Sequence, residues 1–157
     1  MFIAENQFRL LSKDINYLDA INYYRAFVAG VICNGKGKMV SIGGTEVNHC
    51  FDKKKINKAH FLLHRARRLP WIRPTIEKST TVKIEVRKNR SRELYLADVG
   101  VYVPLLGKWI PQPSHFCVVV EPKKDGKKYF VTAYPISNPK FWQQKLALPD
   151  AFPIIST

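Results

Sequence analysis

The spacing of apolar residues changes near residue 80, and this change limits the fold more than any other feature of the chain. Before it, apolar residues recur every three or four positions, as at Leu18, Ile21, Tyr24 and Val28, which predicts a helix over 15–32. After it, apolar and polar residues alternate, as in "TTVKIEVRK", which predicts strands. Helices followed by strands predict an α+β domain, with N-terminal helices packed on a four- to five-stranded antiparallel sheet.

Local signals place the other elements. The pattern predicts further helices over 5–13 and 54–69, a strand over 39–42, and a bend or short 3₁₀ segment at "PWIRPTIEK" because of its two prolines. Asp125-Gly126 predicts a hairpin turn, and "LLGKWIPQPS" a loop. The predicted later strands are "TTVKIEVRK", "ELYLADVGVYVP", "HFCVVVEP" and "YFVTAYPI".

The length and composition suit one domain. The chain has 157 residues, of which 46% are hydrophobic, enough for a real core. No repeat, low-complexity segment or linker divides it. We expect an N-terminal helical extension over 1–38, a core over 39–137, and a tail over 138–157 that packs on the core.

Positive charge is concentrated in one quarter of the chain. Lys and Arg number 26 against 12 Asp and Glu, a net charge of +14. Residues 53–92 hold fourteen of the basic residues and only two acidic ones, Glu77 and Glu85. Such a field attracts polyanions, of which nucleic acid is the first candidate. An anionic membrane surface, an acidic protein and a merely solubilising face are the alternatives.

The cysteines and the N-terminus indicate a cytoplasmic protein without a membrane segment. The three cysteines are far apart and form no CxxC pair, so reduced thiols are the simplest interpretation. The first residues lack the pattern of a signal peptide. The longest apolar stretch, Ala26 to Cys33, is far shorter than the roughly 20 residues that span a bilayer.

Motifs for several enzyme classes are absent from the sequence. Acidic residues are few and isolated, and the chain has no Walker A, GxGxxG or GxSxG motif. His60 and His64 have the spacing of helical zinc ligands but lack the glutamate of HExxH. We therefore expect no metal and no cofactor. The predicted phosphate-binding residues are His60, His64, Arg65, Arg67 and Arg68.

RNA cleavage without metal needs only a base, an acid, and cations or hydroxyls that stabilise the phosphorane. The product would be a 2′,3′-cyclic phosphate. The chain offers histidines, many cations, and the hydroxyls of Thr132 and Tyr134. An ordinary role as strand residues is the alternative for both hydroxyls.

Two quoted segments carry a family resemblance. The order "SIGGTEVNHCFDKKKINKAHFLLHRARRLPWIRPTIEKS", several strands and "KKDGKKYFVTAYPIS" resembles the barnase–EndoU–colicin–RelE group of ribonuclease domains over residues 39–137. The resemblance is strongest to the phage- and mobile-element-associated branches and to toxin domains. The chain departs from the family in having no obvious catalytic glutamate of the barnase kind.

The resemblance implies a metal-independent endoribonuclease, acting as a toxin or mobile-element effector. RNA, including tRNA, would be the substrate, and an acidic antitoxin or immunity protein a further partner. The implied catalytic residues are His49, Lys58, Thr132 and Tyr134. A nucleic-acid-binding module without catalysis and a domain that binds an acidic protein are the competing hypotheses.

Overall fold

The structure is a computed structural model, and it describes residues 2–3, 8–44, 62–103 and 108–152. It confirms the α+β class. The helices are α1 (Tyr17–Tyr23), α2 (Leu63–Ala66), α3 (Ile72–Lys78) and α4 (Pro139–Leu146). The strands are β1 (Phe2–Ile3), β2 (Gly30–Cys33), β3 (Met39–Ile42), β4 (Thr81–Arg87), β5 (Arg90–Val103), β6 (Lys108–Pro122) and β7 (Lys128–Ile136).

The described strands form one mixed sheet of seven strands rather than an antiparallel sheet of four or five. Its centre, β4–β5–β6–β7, is antiparallel and matches the predicted strands. The sheet continues from β7 through β3 to β2, and β1 joins the edge of β5 beside β4. The β1–β5 and β3–β7 pairs are parallel. The larger sheet arises because the N-terminal part of the chain supplies three strands.

The N-terminal helices are shorter than predicted. The described part of the predicted helix over 5–13 is not helical. The second helix begins after Asn16, whose side chain caps it through the backbone N–H of Asp19, and it ends in a π-helical turn over Tyr24–Val28. Gly30 follows with φ +126°, far from the helical value of about −63°. The chain therefore continues as β2, where we had predicted helix.

The middle of the chain also departs from the prediction. Of the predicted helix over 54–69, residues 54–61 lie outside the described residues, and α2 occupies part of the rest. A 3₁₀ turn over Leu69–Trp71 agrees with the 3₁₀ segment predicted at Pro70, but it leads into helix α3, which was not predicted. Pro74 is the third residue of α3, and backbone N–H groups in the first turn have no acceptor within the helix. The proline therefore costs α3 no hydrogen bond.

The hairpin of β5 and β6 is longer than predicted. Residues 108–114 pair as the first half of β6, although "LLGKWIPQPS" was predicted to be a loop. Residues 104–107, between the two strands, lie outside the described residues. The β4–β5 turn consists of Lys88 and Asn89, both with positive φ, as a two-residue hairpin turn of type I′ requires.

The larger core lies on one face of the sheet, which we call the inner face. Trp71 is fully buried there, and its ring makes edge contacts with Phe8 and Phe116. Its indole N–H donates to the carbonyl of Arg9 at 2.9 Å. Val28 and Ile76 bring the π turn and α3 into the same core. The inner face thus fastens the N-terminal segment and α3 to the sheet.

A smaller core lies on the opposite face, which we call the outer face. Trp142 of α4 packs there with Leu94, Leu96, Cys117 and Val119. Lys145 of α4 also forms an ion pair with Glu85 of β4 at 2.6 Å. In the described part of the chain, no helix is long and apolar enough to cross a membrane.

Candidate nucleic-acid interface

Three hairpin turns lie side by side at one end of the sheet. The β4–β5 turn adjoins the β6–β7 turn, because Arg90 of β5 reaches Glu121 of β6 at 2.9 Å. The β2–β3 turn adjoins the β6–β7 turn from the other side, because Val40 pairs in parallel with Lys128. Residues 34–38, 88–89 and 123–127 therefore share one end of the molecule.

These turns and their flanking residues carry a dense set of exposed cations. We call the set the cationic turn surface; it comprises Lys36, Lys38, Arg87, Lys88, Arg90, Lys123, Lys124 and Lys127. Three carboxylates accompany the eight cations: Glu121, Asp125, and Glu85, which lies 3.7 Å from Arg87. Such an excess of one sign at one end creates a strong local positive potential.

A solvent-open groove of about 620 Å³ separates the β4–β5 and β6–β7 turns, lined by residues 89–91 and 121–125. Glu121 lies in it with 8% of its surface exposed. Arg90 at 2.9 Å and Lys123 at 3.7 Å neutralise this carboxylate. The groove lining therefore holds three cations, Arg90, Lys123 and Lys124, against two carboxylates, Glu121 and Asp125.

Thr132 and Tyr134 lie on the outer face, away from the larger core. A bulge in β7 sets this orientation: Phe130 pairs with Val120 and Thr132 with Val119, so Val131 has no residue opposite it. Sequence alternation had placed Phe130 on the face of Thr132. The bulge turns Phe130 to the inner face, where it joins the larger core.

The Tyr134 hydroxyl is occupied within the fold. It hydrogen-bonds the thiol of Cys117, and burial raises the pKa of Tyr134. Burial also raises the pKa of Cys117 to about 12, although the hydrogen bond with Tyr134 by itself lowers that pKa. Both groups therefore stay protonated at neutral pH and are poor nucleophiles there. This contact favours the structural interpretation of the Tyr134 hydroxyl.

The basic segment of the chain, residues 53–92, does reach Tyr134 at one point. Helix α2 packs against β7, and the Arg65 guanidinium lies 5.5 Å from the centroid of the Tyr134 ring, close enough for a cation–π contact. His64 precedes Arg65 on the exposed side of α2. Partial burial is the main factor that lowers the pKa of His64, and the positive charges of Arg65 and Arg68 lower it further. Its imidazole is therefore neutral at pH 7 and able to accept a proton.

Arg67 and Arg68 serve the fold. The Arg67 side chain donates to the Leu11 carbonyl at 2.8 Å and fastens the N-terminal segment. The Arg68 side chain donates to the His64 carbonyl at 2.8 Å, and its guanidinium lies 5.0 Å from the Trp71 ring centroid. These contacts reduce the freedom of both side chains to bind phosphate, the role we predicted for them.

The other predicted site residues cannot be placed relative to this cluster, because His49, Lys58 and His60 lie outside the described residues. His115 has a structural setting. Its ring stacks on Trp142 with centroids 4.1 Å apart, and its Nδ1 lies 3.4 Å from a carboxylate oxygen of Asp98.

The cationic turn surface was missed by the sequence argument. That argument located the charge by chain segment, whereas the surface collects cations from 36–38, 87–90 and 123–127. The available signal was that "NGKGK", "RKNR" and "KKDGKK" are all turns and all basic. Only strand order shows that the three turns are neighbours.

Among the described residues, no group of three or more His, Cys, Asp and Glu side chains lies close enough to hold a metal ion. No protein-family model, curated protein or solved structure matches the chain significantly. The ribonuclease resemblance therefore stays a prediction from the quoted motifs.

Proposed function

We propose that this protein binds nucleic acid, with RNA as its ligand, through the cationic turn surface. The observation that carries the proposal is the convergence of eight exposed cations from three turns on one end of the sheet. Lys and Arg that contact phosphates release condensed counterions, which favours binding of any nucleic-acid sequence. The groove between two of the turns gives the backbone a place to lie.

The test is the salt dependence of binding to a fluorescent 20-nucleotide RNA, followed by anisotropy. With about five phosphate contacts, the plot of log K against log salt should have a slope near −3.5 for a single strand. Absence of binding at 50 mM salt, or a slope near zero, would refute the proposal. Binding instead to an acidic protein, with no affinity for RNA, would support the hypothesis of a domain that binds an acidic protein.

We propose as a second function the metal-independent cleavage of RNA at the junction of α2 and β7. The supporting observation is the contact of Arg65 with Tyr134 beside His64, whose lowered pKa favours the base form. His64 would accept the 2′-hydroxyl proton as the 2′-oxygen attacks phosphorus, and Arg65 would stabilise charge on the phosphorane. The P–O5′ bond would then break, with a water molecule giving a proton to the leaving 5′-oxygen. Thr132 lies on the same strand and the same face as Tyr134. An acidic antitoxin or immunity protein would block such a site.

Cleavage should occur in EDTA and leave 2′,3′-cyclic phosphate ends. We expect His64→Ala to reduce the cleavage rate about 10²- to 10⁴-fold, since it removes a general base, while RNA binding is retained. His49→Ala tests whether His49, rather than His64, is the general base. Lys140→Ala changes an exposed residue of α4 and is the control. Intact RNA across a panel that includes tRNA would eliminate this second function and leave the first standing.

A further inference from the structure

The outer face has an apolar part beside the cationic turn surface. Val31 of β2 pairs with Ser41 of β3, and Ser41 pairs with Tyr129 of β7. Residues paired in this way point to the same face of a sheet. Met39 lies two residues before Ser41 and so shares that face. We call Val31, Met39 and Tyr129 the outer platform.

The outer platform is partly open to solvent. Val31 is 52% exposed and Met39 57% exposed, whereas Tyr129 is half-buried. The residues that α4 contributes to the outer-face core pack instead against β5, β6 and the later part of β7, which contributes Tyr134 and Ile136. A solvent-open cavity of about 450 Å³ adjoins the platform; its lining includes Lys38, Met39, Lys127 and Tyr129. An aromatic ring, apolar side chains and lysines therefore meet in one place.

The charge next to the platform favours an anionic occupant. Glu121 pairs with Tyr129 across the strands and faces the same side, but Arg90 and Lys123 hold its carboxylate. Lys38 and Lys127 are both exposed at the edge of the platform. A second copy of this chain would bring its own +14 charge to the surface, and repulsion between like charges disfavours that occupant.

We propose that the outer platform binds the bases of single-stranded nucleic acid, with a base stacked on Tyr129 and neighbouring bases over Val31 and Met39. This inference rests on the proposed function and specifies single-stranded nucleic acid as the ligand. Phosphates of the same strand would contact Lys38 and Lys127. Stacking on aromatic side chains beside a basic groove is how proteins bind single strands without sequence preference. In a duplex the faces of the bases are stacked inside the helix, so they cannot stack on the outer platform.

The experiment compares a 20-nucleotide oligouridine with an RNA duplex of equal phosphate number. Tyr129→Ala should weaken oligouridine binding about 5- to 150-fold, the loss that corresponds to one stacked base, and leave duplex binding unchanged. Tyr129→Phe keeps the ring and should bind as the wild type does. Circular dichroism and thermal unfolding show that each variant is folded.

A second pair of variants avoids any effect of Tyr129 on folding. Val31→Glu places a carboxylate on the platform, and Val86→Glu places the same charge on the inner-face side of β4, where Val86 is 70% exposed. Val31→Glu should weaken oligouridine binding at least fivefold more than Val86→Glu does.

Two outcomes separate failure of this inference from failure of the proposed function. Equal binding of oligouridine and duplex, with Tyr129→Ala and Val31→Glu no different from their controls, overturns the platform but keeps nucleic-acid binding. No binding of either RNA overturns both. Self-association abolished by Val31→Glu, with oligouridine affinity unaffected, would show that the platform is a contact between copies and overturn the inference.

Discussion

Replacement of Lys36, Lys88 and Lys124 by glutamine should weaken RNA binding roughly 50-fold at 0.15 M salt, the loss of three phosphate contacts on a single strand. The three lysines come one from each turn and all are exposed. Their loss should also reduce the magnitude of the salt slope by about 2. Anisotropy titrations between 50 and 300 mM salt measure both quantities.

The control carries the same change of charge elsewhere. Lys13, Arg25 and Lys140 are exposed and lie outside the three turns, and their replacement by glutamine removes the same three charges. If binding depends on the cationic turn surface, this control should lose far less affinity. Equal losses in the two triple variants would mean that net charge, and not the surface, attracts RNA.

Trp71→Ala should destabilise the protein by about 3–5 kcal/mol, the cost typical of truncating a buried aromatic side chain. Trp71 is fully buried and contacts Phe8 and Phe116. It links the N-terminal segment, the 3₁₀ turn and β6. The free energy of unfolding in urea, with the m-value checked for change, measures the effect.

Trp71→Phe separates packing from hydrogen bonding. It keeps an aromatic ring but leaves the Arg9 carbonyl without the indole donor, which costs about 1–3 kcal/mol if that carbonyl stays buried. We expect its stability to lie between those of the wild type and Trp71→Ala. A Trp71→Ala protein as stable as the wild type would contradict the proposed role of this ring.

The strands of the central sheet were predictable because alternation of apolar and polar residues and the turn residues between strands are local signals. The alternation in "TTVKIEVRK" and the Asp125-Gly126 turn gave β4 and the β6–β7 hairpin directly. Strand β2 was not predictable, because its four residues continue a helical spacing. Pairing with β3 decides its conformation, and no local pattern reports that pairing.

The candidate site was predictable only in part. The sequence indicated a polyanion partner and singled out Arg65 and Tyr134, which the fold brings into contact. It could not indicate that Arg67 binds a backbone carbonyl, since the acceptor residue, Leu11, is distant from Arg67 in the chain. Nor could it show the bulge at Val131, which turns Phe130 away from Thr132.

By itself, the sequence determined the α+β class, the central strands and the excess of positive charge, because periodicity, turn residues and charge are local properties. The tertiary structure decided where that charge acts. Strand order places the turns at 34–38, 88–89 and 123–127 together, although they are far apart in the chain. It also leaves the outer platform open beside them, because burial depends on which elements pack together.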